Sequence, residues 1–195
     1  MSAAVTPEAR AEAQRRAREY LHANGTLAPR EALRKRVGQA FERLESFLGS
    51  VDAVRAARVA WAGEWSLHEI ADHVVETHRP SLGELRSLLE GRRPSGGPVP
   101  AGLQSAAPLA RPYAAVLGEM KEIHAGVIAA LEGTRDDFMT EARAPLVMVA
   151  NATDATGATV PVHWVDELDW KAYAAVLRLH AIDHLHQAKK VAATV

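Results

Sequence analysis

The residues most suited to chemistry in this chain are its histidines, of which there are nine, beside no cysteine at all. Two of them lie in Leu179-His180-Ala181-Ile182-Asp183-His184-Leu185-His186-Gln187. At a spacing of i, i+4 on a helix, His180 and His184 project from one face, about 6 Å apart at Cβ. That geometry lets two ring nitrogens bind one metal ion. The same spacing underlies helical zinc sites of the H-E-x-x-H type, but Ala181 stands where that motif carries its catalytic glutamate, which argues against a zincin-type peptidase. Nine histidines scattered at random would give about 0.4 such pairs, so the spacing alone also fits two helix histidines bonded to backbone or water.

The helix face carries the argument further. Trp170, Tyr173, Leu177, His180, His184, Gln187 and Val191 form a stripe that begins and ends apolar, so it should face a core. Two adjacent imidazoles buried there are costly unless they are hydrogen-bonded or metallated. A third ligand must come from another helix, and His73 qualifies, because it follows Leu67 and Ile70 on an apolar stripe. His68 and His78 lie off that stripe and are expected to be exposed or locally bonded. His22 on an N-terminal helix, His124 on a later helix, His163 in a loop and His186 on a polar face all read as structural or solvated. Three histidines form a half-open site, with a fourth position for water or substrate. Zinc suits such ligands, and so do nickel, iron, copper and manganese to varying degrees.

The elements that must position these residues are helical. A helix from Pro7 to about Ala23 is rich in Ala, Arg and Glu, with Asn24-Gly25 as its stop. A second runs from about Pro29 to Leu48. A third starts at Ser66, with Glu69 in the capping-box position, and should kink or divide near Pro80 before ending at Gly91. Residues 92–108 form a Pro/Gly loop, and a fourth helix spans about Leu109 to Leu131. Between Asp136 and Pro161, Leu146–Val149 and Thr159–Val162 are short extended pieces that can pair as a small hairpin. The last helix begins near Asp166–Asp169. These elements predict an all-α fold: a four-helix bundle over residues 29–195, with an extra N-terminal helix over residues 1–28 packed outside it and a long connection before the last helix.

Two segments resemble the DinB/YfiT-like superfamily of metal-dependent proteins: W-S-x-x-E-x-x-x-H at Trp65, Ser66, Glu69 and His73, and H-x-x-D-H-x-x-Q at His180, Asp183, His184 and Gln187. Leu168-Asp169-Trp170, leading into the last helix, adds to the likeness, which covers roughly Pro29 to Val195. The resemblance implies a four-helix bundle, a divalent metal held by His73, His180 and His184, and a homodimer. Relatives include transferases and isomerases that use low-molecular-weight thiols such as mycothiol or bacillithiol. The chain departs from the commonest form at Leu185-His186-Gln187-Ala188, where a His-Arg-Gly-Gln run is frequent.

The resulting expectation is a metal-dependent transferase or hydrolase, with zinc or nickel as the ion, that activates a small thiol or water against a small-molecule substrate. Asp183, Glu69 and Gln187 are candidates to orient an imidazole or move a proton. With no cysteine, any thiol must arrive as a separate molecule. The alternative is a non-catalytic, metal-binding, stress-related scaffold, which would have a closed, dry site rather than an open coordination position. A formal net charge of -1 argues against nucleic acid as a partner. No apolar run approaches a membrane span and the start lacks a secretory pattern, so a cytoplasmic protein with no membrane partner is expected.

Overall fold

The computed structural model describes residues 5–195. Helix α1 (Pro7–Leu21) opens with Thr6, whose side chain accepts from the Ala9 N–H at 3.2 Å. It does not stop at Asn24-Gly25 but widens into a single π turn over His22–Thr26. Gly25 is there for contact: a Cβ on it would lie 2.7 Å from the Ala172 Cα. The chain continues through α2 (Arg30–Gly49), the short α3 (Ala53–Ala56), α4 (Leu67–Leu89) and α5 (Tyr113–Glu132). Strands β1 (Ala144–Thr153) and β2 (Thr159–Leu168) precede the last helix, α6 (Trp170–Ala192).

The four long helices close on one another. Both α2 and α4 pack against α5 and α6, and Leu33, Leu44, Ile70, Met120, Leu131 and Tyr173 are among the side chains sealed between them. At the start of α4, Ser66 and Glu69 form the expected capping box: the Ser66 N–H donates to Glu69 Oε2 at 2.8 Å, and the Glu69 N–H to Ser66 Oγ at 3.2 Å. Helix α4 runs unbroken past Pro80, so the expected division does not occur. Arg79 and Pro80 face solvent, where the missing backbone donor costs least.

The all-α expectation is overturned by an antiparallel hairpin. Each strand has ten residues, in register from Ala144 opposite Leu168 to Thr153 opposite Thr159. Both expected extended pieces lie within strands, but they do not pair with each other: Leu146–Val149 lies opposite His163–Asp166, and Thr159–Val162 opposite Ala150–Thr153. Asp154 organises the turn, its Oδ1 accepting from the N–H groups of Thr156 at 2.8 Å and Ala158 at 3.0 Å, while Gly157 supplies a positive φ of 85°. Strand β2 takes in Asp166–Leu168, so the last helix starts at Trp170, just past the expected Asp166–Asp169. Asp169 then caps α6, accepting from Lys171 N–H at 2.9 Å and Ala172 N–H at 3.0 Å.

Helix α1 lies on this hairpin. Ala13 packs with Ala152 and Val162, Arg10 donates to the His163 carbonyl at 2.9 Å, and Arg18 pairs with Asp166 at 2.7 Å. Leu21 and Ala28 join the main core. Among the described residues, no helix is long and apolar enough to cross a membrane.

Candidate metal centre

Helix α4 presents His73 and α6 presents His180 and His184, as their spacing suggested. The Nε2 atoms of His73 and of His184 each lie 3.1 Å from the Nε2 of His180. The three rings offer ligand atoms all within 4.8 Å of one another, a group that can hold a metal ion. Zn–N bonds of 2.0–2.1 Å in a tetrahedron put ligand nitrogens roughly 3.3 Å apart, so the two spacings through His180 match.

The outer ring nitrogens show which way these imidazoles are set. His73 Nδ1 lies 2.7 Å from the Leu103 carbonyl, which can only accept, so Nδ1 carries the proton and Nε2 a lone pair. His184 Nδ1 lies 2.8 Å from Gln187 Oε1, and the amide's orientation is fixed because its Nε2 donates to Glu64 Oε1 at 2.7 Å. His184 Nε2 therefore carries a lone pair as well. Lone pairs converging at this distance repel unless a cation lies between them, so the donor set fits a metal. Burial pushes the His73 pKa below its usual value. For His184, burial and then the charge of His73 push it to about 4. Burial, followed by the charge of His184, drives His180 far down, so all three rings stay neutral and available as ligands.

The surrounding shell explains residues of both sequence motifs. The Trp65 ring packs 4.8 Å from that of His73 and lies nearly parallel to His184 at 6.3 Å. Asp72, fully buried, accepts from the Ser105 N–H at 2.9 Å, the Ser105 hydroxyl at 2.8 Å and Arg111 at 2.7 Å. It thus pins the loop whose Leu103 carbonyl orients His73. Arg111 also pairs with Glu76 and Glu119.

Beside the histidines lies a cavity of about 400 Å³ between α4, α6, β1 and the 99–102 loop. His78, His180 and His184 line one part of it, while Val99, Leu146, Val147, Val149, Val176 and Leu177 give it apolar walls. Asp183 also lines it while staying exposed to solvent, and partial desolvation by the neighbouring residues pushes its carboxyl above the usual carboxylate range, against the opposing charge of His186. Gln187 is placed on His184, as an orienting residue would be. Glu69 is committed to its capping box, and its backbone carbonyl accepts from Gln104 at 3.2 Å.

Two expectations about histidines are corrected. His68 and His78 are both buried, His68 edge-on against Tyr113 at 5.1 Å and His78 within a polar chain that crosses the bundle. His78 Nε2 lies 2.9 Å from His180 Nδ1, and its Nδ1 lies 3.0 Å from His124 Nε2. His124 Nδ1 lies 2.6 Å from Glu45 Oε1, and its ring stacks on Phe41 at 3.8 Å. This chain joins residues of all four long helices, and no single-helix pattern contains it. His22, His163 and His186 are exposed, with His163 on β2 rather than in a loop. No family model, curated protein or solved structure matches the chain.

Proposed function

We propose that the chain is a divalent-metal-dependent enzyme of the DinB-like kind, acting through His73, His180 and His184 on a small thiol or water and an apolar co-substrate. The observation that carries this reading is the contact between the three-histidine group and a half-open, largely apolar cavity. A structural site would be closed by a fourth protein ligand. Among the described residues the group contains three, and two of them line a cavity whose size suits a small-molecule ligand.

The ion, zinc or nickel, would lower the pKa of a thiol or water bound to it and polarise a carbonyl. The protein's own contributions follow from its residues. Leu103 and Gln187 hold the rings of His73 and His184 in the ligating tautomer. The valines of β1 exclude water from the cavity and receive the apolar part of a substrate. Asp183, a solvent-accessible carboxyl facing the same space, can take a proton from the substrate and return it. With no cysteine in the chain, the thiol is a diffusible partner.

Elemental analysis of natively purified protein tests the reading. Wild type should carry close to one equivalent of a divalent metal and His180→Ala almost none. Equal metal content in the two, or none in either, would overturn it. With the metal established, activity with a panel of low-molecular-weight thiols should fall at least tenfold in Asp183→Asn, with metal content unchanged.

A further inference from the structure

The chain Glu45–His124–His78–His180 contains more donors and acceptors than a passive core would need, and its direction can be worked out link by link. A carboxylate only accepts, so the proton between Glu45 and His124, 2.6 Å apart, sits on His124 Nδ1. The neutral ring then has a lone pair at Nε2. That lone pair, 3.0 Å away, accepts from His78 Nδ1. His78 Nε2 is in turn an acceptor, and at 2.9 Å it takes the proton of His180 Nδ1. His180 is left with its lone pair at Nε2, the atom that faces both other ligands at 3.1 Å. Reversing any one link would put a proton on that nitrogen and remove it as a ligand.

We propose that Glu45, with His124 and His78 as intermediaries, is a positioning residue that fixes the ligating tautomer of His180 from the far side of the bundle. The placement of the parts supports this. His78 and His124 are 1% and 2% exposed, so water does not compete for their nitrogens along the chain. Glu45 lies at the outer end, its side chain 21% exposed, where a carboxylate is less costly than in the core. Phe41 holds the His124 ring flat against its own at an interplanar angle of 7°, so the ring cannot turn to another partner. A buried polar chain is worth keeping only when every member is satisfied, and here both nitrogens of His124 and His78 and the Nδ1 of His180 have a partner, which leaves only the His180 Nε2 lone pair for an ion.

This inference rests on the reading that the three histidines hold a divalent ion, and its test separates the two. The proteins compared are wild type, Glu45→Gln, His124→Phe and, as a control for loss of a nearby charge, Glu42→Gln. Zn²⁺ affinity is measured by competition with a chromophoric chelator. The His180 tautomer is read from side-chain ¹⁵N NMR shifts in metal-free and Zn²⁺-loaded protein. A glutamine can donate or accept, so Glu45→Gln no longer dictates the direction. It should weaken Zn²⁺ binding by about tenfold, at the low end of what partners of metal ligands usually contribute. The metal-free His180 signal should then shift from Nδ1–H toward a mixture of tautomers. His124→Phe preserves the stack on Phe41 and should match or exceed that loss, while Glu42→Gln should leave both readouts unchanged. Affinity within twofold of wild type in Glu45→Gln, with His180 still Nδ1–H, overturns the inference even if His124→Phe fails to fold. If wild type binds no Zn²⁺, the metal reading fails, and the metal-free tautomer shift still decides whether Glu45 sets the chain.

Discussion

Replacing Asp72 by asparagine isolates the loop that orients His73. Asp72 has no exposed side-chain surface and receives three donors: the Ser105 N–H on Oδ2, and the Ser105 hydroxyl and Arg111 on Oδ1. An asparagine has one oxygen. If it faces Arg111, its NH₂ group meets the Ser105 N–H; if it faces Ser105, the NH₂ group meets Arg111. Either way a buried donor points at another donor, which costs about 1–3 kcal/mol, and a charge-assisted bond becomes a neutral one. Arg111 keeps Glu76 and Glu119, so the 3–5 kcal/mol typical of stranding a buried charge does not apply in full. The expected loss is about 2–3 kcal/mol.

Urea unfolding of the metal-free protein at neutral pH measures that loss. A second readout links it to the site. When Ser105 is released, the Leu103 carbonyl no longer holds His73 Nδ1, and Zn²⁺ affinity should fall by about tenfold. Arg79→Ala serves as the control, since Arg79 joins the same network of charges from its solvent side and should cost under about 1 kcal/mol. A loss below about 0.5 kcal/mol in Asp72→Asn would refute the donor accounting. A full loss of stability with undiminished Zn²⁺ affinity would refute the coupling between Asp72 and His73.

Three further outcomes follow. Burial raises the pKa of Glu84, against the opposing hydrogen bond from the Tyr173 hydroxyl at 2.6 Å, so the folded protein favours the protonated form. Its stabilising contribution is present below the unfolded value near 4.5 and fades as pH rises through the folded one, so Glu84→Gln should match wild type near pH 4 and melt higher at pH 7; equal melting temperatures at both would refute this. Gly25→Ala, which drives a Cβ to 2.7 Å from the Ala172 backbone, should destabilise by about 1–3 kcal/mol, whereas Gly126→Ala meets only the movable end of Leu82 and should be near neutral in thermal melts. Zn²⁺ binding should change the tryptophan fluorescence of wild type but not of Trp65→Phe, because Trp65 alone of the four tryptophans packs on ligand rings.

The long helices were legible because their apolar positions recur at three and four and their ends carry ordinary signals, such as Ser66 with Glu69 and Asp169 before Trp170. The hairpin was legible only in Leu146–Val149 and Thr159–Val162. The stretches that pair with them, His163–Asp166 and Ala150–Thr153, are polar or mixed, and α1 covers them with Ala13, Arg10 and Arg18. That cover comes from more than a hundred residues away, and local periodicity does not record it. Gly25 misled for a related reason: its lack of a side chain serves a contact with Ala172 rather than a helix end.

The three-histidine group was readable because two of its members share one face at i, i+4 and the third lies on a recognisable apolar stripe. His78 and His68 were misread because a helix with one apolar stripe was assumed to have one buried face. The first half of α4 has no such exposed side. The connection from residue 92 to residue 112 folds over it, with Ser105 and Arg111 on Asp72 and Gln104 on the Glu69 carbonyl. Polar residues on that covered surface become interior groups that must find partners, and Asp72 finds them in the covering loop. His78, five residues after His73 and so about 140° around the helix, finds them in α5 and α6. The polarity that made the face look solvated is thus the material of the network behind the site. A histidine beyond the apolar stripe of a central helix is better judged by what covers that helix than by its own neighbours in sequence.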